Sequence, residues 1–227
     1  MRNAYTKSLE KLSSDYIDLG NEVKGAINKA MLALEKRDVA MANEVIDYDK
    51  VINDASIQIE KDAVELIALQ QPVTKDLRQI VTVLKASNSL ERMGDHARTI
   101  AHLAVDLNES QNLDSKIEGY LAKMGEKVEE MLTNILQAIS TANVDFAIAI
   151  AKSDDDVNEL NAKVLEKITS RVNNENDEAN IYMYYLTISS NLERIGDHIS
   201  NLAELLIYLE TGEMVELNSK YFSKVKA

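Results

Sequence analysis

Along the first forty residues, apolar side chains return at spacings of four and three: Leu12, Tyr16, Leu19, Val23, Ile27, Ala30 and Leu34. That spacing lines them up on one stripe of an α-helix, the seam by which a helix packs in a bundle. Adding 105 to each number gives Ile117, Leu121, Met124, Val128, Leu132, Ile135 and Ile139, and carries Gly20 onto Gly125 and Val39 onto Val144. The chain therefore contains an internal repeat. The same offset relates Asp49 and Asn53 to Asp154 and Asn158, which stand in similar apolar surroundings. Further on the offset becomes 102, and Leu90-Glu91-Arg92-Met93-Gly94-Asp95-His96 falls on Leu192-Glu193-Arg194-Ile195-Gly196-Asp197-His198. The three-residue change belongs in a loop or at a helix end, where length costs little.

Each copy divides into three long helices, predicted at about 4–36, 38–70 and 73–108, and then at about 113–141, 143–173 and 178–211. Pro72 reads as the first-turn residue of the third helix, a position where its missing N–H costs nothing. The polar run from Asn108 to Asn112 separates the copies. The predicted fold is all-α: two tandem, sequence-related three-helix bundles, the first over 1–110 and the second over 111–213, followed by a C-terminal tail at 214–227. The pattern leaves open whether the bundles lie side by side or end to end.

Composition agrees with this pattern. One Pro and seven Gly leave little room for hairpins. The 38 acidic residues against 25 basic give a formal charge of −13, which on average repels phosphate backbones and anionic lipid surfaces. Direct nucleic-acid binding is disfavoured. No apolar run approaches the roughly 18 residues of a membrane span, and the first residues lack a signal-peptide hydrophobic stretch; a cytoplasmic location is expected. The absence of Cys excludes disulfides, thiolate metal sites and a cysteine nucleophile.

The chemistry lies in the repeated Glu-Arg-x-Gly-Asp-His. Glu and Asp four residues apart share one helix face and can address one cation. In the last helix Ile181, Tyr185, Ile188, Leu192, Ile195, Ile199, Leu202, Leu206 and Leu209 form the seam, and Glu193 and Asp197 fall outside it. Gly94 and Gly196 stand mid-helix at roughly 1 kcal/mol each relative to Ala, which points to a close neighbour. Asp49 and Asp154 are in phase with apolar residues of their own helices, so each carboxylate needs a partner. A metal ion shared with the adjacent Glu-x-x-x-Asp would serve, as would an arginine such as Arg92 or Arg194. The donors are hard oxygens, suited to magnesium, manganese, calcium or ferric iron. His96 and His198 are weaker ligands that could add nitrogen for zinc or iron, but each lies half a turn off the acidic face. Tyr182, Tyr184 and Tyr185 read as core packing. Gly-rich phosphate loops, G-x-S-x-G and H-E-x-x-H are all missing, and the Glu-to-His spacing is wrong for a di-iron site.

The doubled Leu-Glu-Arg-x-Gly-Asp-His, the stretch Gln-Gln-Pro-Val-Thr-Lys-Asp-Leu-Arg at 70–78 and the two Asp-x-x-φ-Asn elements (φ apolar) resemble the PhoU family from about Leu9 to Leu209. The resemblance implies two three-helix bundles, a homodimer, and surface metal sites at Asp49, Asn53, Glu91 and Asp95 and at Asp154, Asn158, Glu193 and Asp197. Asn53 and Asn158 depart from the family pattern, which has a second acid there; the loss of charge counts against multinuclear iron. The implied role is that of a non-enzymatic adaptor between the ATPase subunit of the phosphate-specific ABC transporter and the sensor kinase of the phosphate regulon. It would repress uptake and signalling when phosphate is plentiful. The rival readings are a metal-storage protein and a metal-dependent phosphohydrolase or oxidase built on the acidic clusters.

Overall fold

A computed structural model describes residues 2–108, 110, 113–172 and 179–217. It contains α1 (Arg2–Lys36), α2 (Val39–Gln70), α3 (Thr74–Leu107), α4 (Ser115–Ser140), α5 (Val144–Lys152), α6 (Asp154–Val172) and α7 (Ala179–Thr211). All regular secondary structure among the described residues is helical. None of these helices is long and apolar enough to cross a membrane.

The two copies reuse one corner. Arg37 and Ala142 both adopt left-handed backbone, with φ of 58° and 50°. The following residue then donates its N–H back across the turn, Asp38 to the carbonyl of Ala33 at 3.0 Å and Asn143 to that of Ala138 at 2.9 Å. This is the closure expected of a helix C-terminus, made here without glycine. The same Asp38 and Asn143 cap the next helix, accepting from the N–H of Met41 and Phe146. One short turn therefore ends α1 or α4 and starts its successor, which forces the two helices antiparallel.

Two expectations are corrected. Pro72 is not in the first turn of α3: Gln71 ends α2 in left-handed backbone, and α3 starts at Thr74 with Val73 as its N-cap. Pro72 thus blocks continuation of α2. The predicted fifth helix is divided at Ser153, whose hydroxyl donates to the carbonyl of Ile150 at 2.6 Å and whose N–H is shared between the carbonyls of Ala149 and Ile150. Such local bonding competes with the helical ladder. The break makes Asp154 the first residue of α6.

The copies lie side by side, α3 against α7 and α1 against α4, around one continuous core. Leu90 and Leu192, equivalent residues, are fully buried, and burying each stabilises by about 1.5–3 kcal/mol. The packing is reciprocal. A Cβ at Gly20 would press on Leu136, and one at Gly125 would press on Met31; Met31 and Leu136 are themselves equivalent positions. His96 meets its own counterpart His198, ring centroids 5.8 Å apart. Contacts of this kind place a local two-fold relation between the repeats. Tyr185 is fully buried and Tyr182 and Tyr184 pack against the core. Beyond α7 the chain doubles back, with the N–H of Leu217 donating to Glu204 at 2.7 Å; the last ten residues lie outside the described ones.

Candidate acidic sites

In the first copy, α2 delivers Asp49 and Asn53 to the face of α3 that carries Glu91, Arg92, Asp95 and Arg98. Asp49 is 5% exposed. Its Oδ2 accepts from Asn53 Nδ2 at 3.1 Å and from Arg98 Nη1 at 2.9 Å. Arg98 also reaches Asp95 Oδ1 at 3.2 Å through Nη2. Arg92 pairs at the surface with Asp95 at 3.4 Å and with Glu91 at 3.5 Å. Asp49 was expected to share a metal ion or pair with an arginine such as Arg92; among the described residues its ion-pair partner is Arg98. Arg98 stands at i+7 from Glu91 and i+3 from Asp95, so the three share a face. The pKa of Glu91 is raised, first by burial and then by Asp95, with Arg92 opposing.

The second copy has the acids without the inner arginine. Asp154 is 9% exposed, and its Oδ2 accepts from Asn158 Nδ2 at 3.0 Å. Its Oδ1 has no hydrogen-bond partner and presses against Gly196 on α7, between Glu193 and Asp197. The glycine is needed because a Cβ there would overlap that oxygen. Gly94, its counterpart, instead makes room for Ile52, whose Cγ2 would lie 3.0 Å from an added Cβ. Neither Asp154, Glu193 nor Asp197 forms an ion pair among the described residues, and Arg194, in the place of Arg92, forms none either. Ser200 occupies the place of Arg98, and its hydroxyl is buried without a partner. Burial raises the pKa of Asp154 from 3.8 to about 6, reinforced by the negative charges of Asp197 and Glu193. Glu193 and Asp197 are also raised, in each case chiefly by burial.

The histidines do not join either acidic face. His96 Nδ1 bonds Asn191 Oδ1 at 2.8 Å, and His198 faces His96 in the α3–α7 contact. Burial lowers the pKa of both, and in His198 the neighbouring His96 adds to the effect. Neutral rings are thereby favoured where the repeats meet.

No three His, Asp or Glu among the described residues converge into a closed metal cage. The two copies nevertheless differ in how well they suit a cation. The first already holds the positive charge of Arg98 on its buried carboxylate. Both copies leave one oxygen of the buried carboxylate, Asp49 Oδ1 and Asp154 Oδ1, without a hydrogen-bond partner, but only in the second does the carboxylate also lack an ion pair among the described residues. Its donors are hard oxygens, the ligand type of a divalent cation.

Two tandem helical units, each setting a buried Asp behind a Glu-x-x-x-Asp helix face, define a doubled bundle protein with one acidic site per unit. A family model described as the PhoU domain matches residues 16–104 and again 121–206. Over 218 residues the chain is 37% identical to the "Phosphate-specific transport system accessory protein PhoU homolog" of Clostridium acetobutylicum, spanning 96% of this chain and 99% of that protein. It is similar to the crystal structure of the phosphate transport system regulatory protein PhoU from Streptococcus pneumoniae, with TM-score 0.86 and 33% identity over 93% of this chain and 99% of that one. PhoU from Pseudomonas aeruginosa gives a TM-score of 0.88 at 29% identity, over 92% and 100% of the two chains. The chain belongs to the PhoU family.

Proposed function

We propose that this protein is a regulator of phosphate transport that acts by contact, without catalysing a reaction. The observation that carries this reading is the doubled PhoU domain, which occupies most of the chain, in a protein whose relative over nearly its full length is named an accessory protein of phosphate-specific transport. In this reading it binds the ATPase subunit of the phosphate ABC transporter and the phosphate-regulon sensor kinase, and holds both back when phosphate is plentiful. Exposed apolar side chains concentrate on α2 and just after it, at Tyr48, Val51, Ile57, Val64, Leu69 and Val73. They supply apolar area for a protein partner. A homodimer belongs to the same reading, and sedimentation of the purified protein checks it.

The acidic face of the second repeat, Asp154, Asn158, Glu193 and Asp197, is the proposed metal site. A bound divalent ion would balance charge there and tie α6 to α7, setting the shape of that face for a partner.

The test is genetic. In a bacterial host deleted for its own PhoU, phosphate uptake and phosphate-starvation gene expression are measured in phosphate-rich medium with and without this protein. Restored repression of either output is the expected result. Full expression of the protein with neither output repressed would oppose the proposal.

A further inference from the structure

Beyond α7 the chain stays on the bundle. Gly212, at φ of 83°, ends the helix in left-handed backbone and donates its N–H to the carbonyl of Tyr208 at 2.9 Å. Val215 then packs against the core, Leu217 is buried, and the N–H of Leu217 donates to Glu204 Oε1 at 2.7 Å. Residues 212–217 therefore run back along α7, from the level of Tyr208 to that of Glu204. Glu193, Asp197, Asn201, Glu204 and Tyr208 succeed one another at spacings of four and three, which sets them on one stripe of the helix. The returning chain is thus aimed along that stripe at Asp197 and Glu193. Neither carboxylate has an ion pair among the described residues, whereas in the first repeat Asp95 is held by both Arg92 and Arg98. Ser200 stands in the place of Arg98, and a serine cannot supply the charge.

The next ten residues, 218–227, have the composition that this stripe lacks. They carry Lys220, Lys224 and Lys226 and no acid, in a chain of net charge −13. The lengths agree as well. Asp197 precedes Glu204 by about 10 Å of helix axis, and extended chain covers about 10 Å between Leu217 and Lys220. We propose that this segment continues along α7 with Lys220 paired to Asp197 and Glu193, so that the chain's own C-terminal residues cover the acidic face of the second repeat. The first repeat then balances its acids from within, through Arg98, and the second through the segment that follows its last helix. The two differ in permanence. Arg98 holds a buried carboxylate from mid-helix, whereas a lysine on surface carboxylates is weakly held and screened by salt. Any ion or protein that binds this face of α7 must displace the segment first.

The experiment uses the full-length chain, as an equal mixture of unlabelled and ¹⁵N-labelled protein, treated with a water-soluble carbodiimide. This reagent joins a lysine amine to a carboxylate only where the two are in contact, and mass spectrometry maps the joined peptides. Lys220 is expected to join Asp197 or Glu193 within a single chain. The yield should fall severalfold in about 0.5 M NaCl, and Lys220→Gln should abolish it. Because the chain has no Cys, Asn201→Cys provides a sole thiol on the same stripe. That thiol should react with a maleimide severalfold faster once residues 218–227 are removed, and circular dichroism verifies that the shortened chain keeps its helices. Lys220 joined only to its sequence neighbours Glu213 and Glu216, or a thiol rate unchanged by the truncation, would overturn the proposal. Cross-links found only between labelled and unlabelled chains would overturn it as well, by giving the face to the segment of a second copy.

Discussion

Truncating Arg98 to Ala should leave Asp49 as a buried carboxylate with only the Asn53 amide for company. Breaking a fully buried ion pair from one side costs about 3–5 kcal/mol. Here the Arg98 side chain is 40% exposed, so water screens part of the interaction and about 2 kcal/mol is the better figure. For a chain of this size that corresponds to a fall in Tm of about 4–8 °C. Thermal unfolding of metal-free wild type and variant measures the deficit. Arg92→Ala is the control, since its pairs are at the surface and should contribute less than about 0.5 kcal/mol. A deficit for Arg98→Ala no larger than that control would refute the argument that the guanidinium serves a buried charge.

In metal-free protein, Asp154 has a folded-state pKa of about 6, above its ordinary 3.8. The native state thus binds the proton more tightly than the unfolded chain, and stability falls as pH rises from about 4 to 6, by up to about 3 kcal/mol; urea unfolding of Asp154→Asn should lack this slope and exceed wild type at pH 8. Ala142→Gly should stabilise by about 0.5–1 kcal/mol, because Ala142 is held at φ of 50°, where glycine avoids the Cβ penalty; chemical denaturation detects the gain, and a loss would contradict the turn geometry. His96 and His198 should both titrate below 6.5 by NMR. Their sign is opposite to that of Asp154, since the unfolded chain charges first as pH falls and the α3–α7 contact weakens in acid; a midpoint at or above 6.5 for either ring would contradict its burial.

The repeat, the seams and the six-helix plan were legible because periodicity and duplication are properties of spacing, which packing then obeys. Burial of Asp49 and Asp154 followed from their phase with Val45 and Ile52, and with Ile150 and Val157. The role of Arg98 was not read from the motif, since it lies two residues past the shared Glu-Arg-x-Gly-Asp-His. Its signal was present in two forms: the i, i+4, i+7 placement of Glu91, Asp95 and Arg98, and the serine found at the matching position of the second copy. Differences between duplicated copies carried the chemistry that the shared residues hid. The break at Ser153 had no periodic signature, because one residue of altered bonding leaves the apolar phase intact. The side-by-side packing needed three dimensions. Gly20 and Gly125 hinted at close approach but could not name Leu136 and Met31 as the side chains that come near.

The proposed function is regulation of phosphate transport by binding protein partners. The direct measurement is equilibrium binding of the purified full-length chain to the purified ATPase subunit of the phosphate transporter and to the cytoplasmic portion of the sensor kinase, with phosphate and Mn²⁺ each present and absent. Saturable binding to either partner, weakened by polar substitution of Tyr48 and Val51, is the predicted result. Failure to bind both partners under all four conditions, with the protein folded, would contradict it.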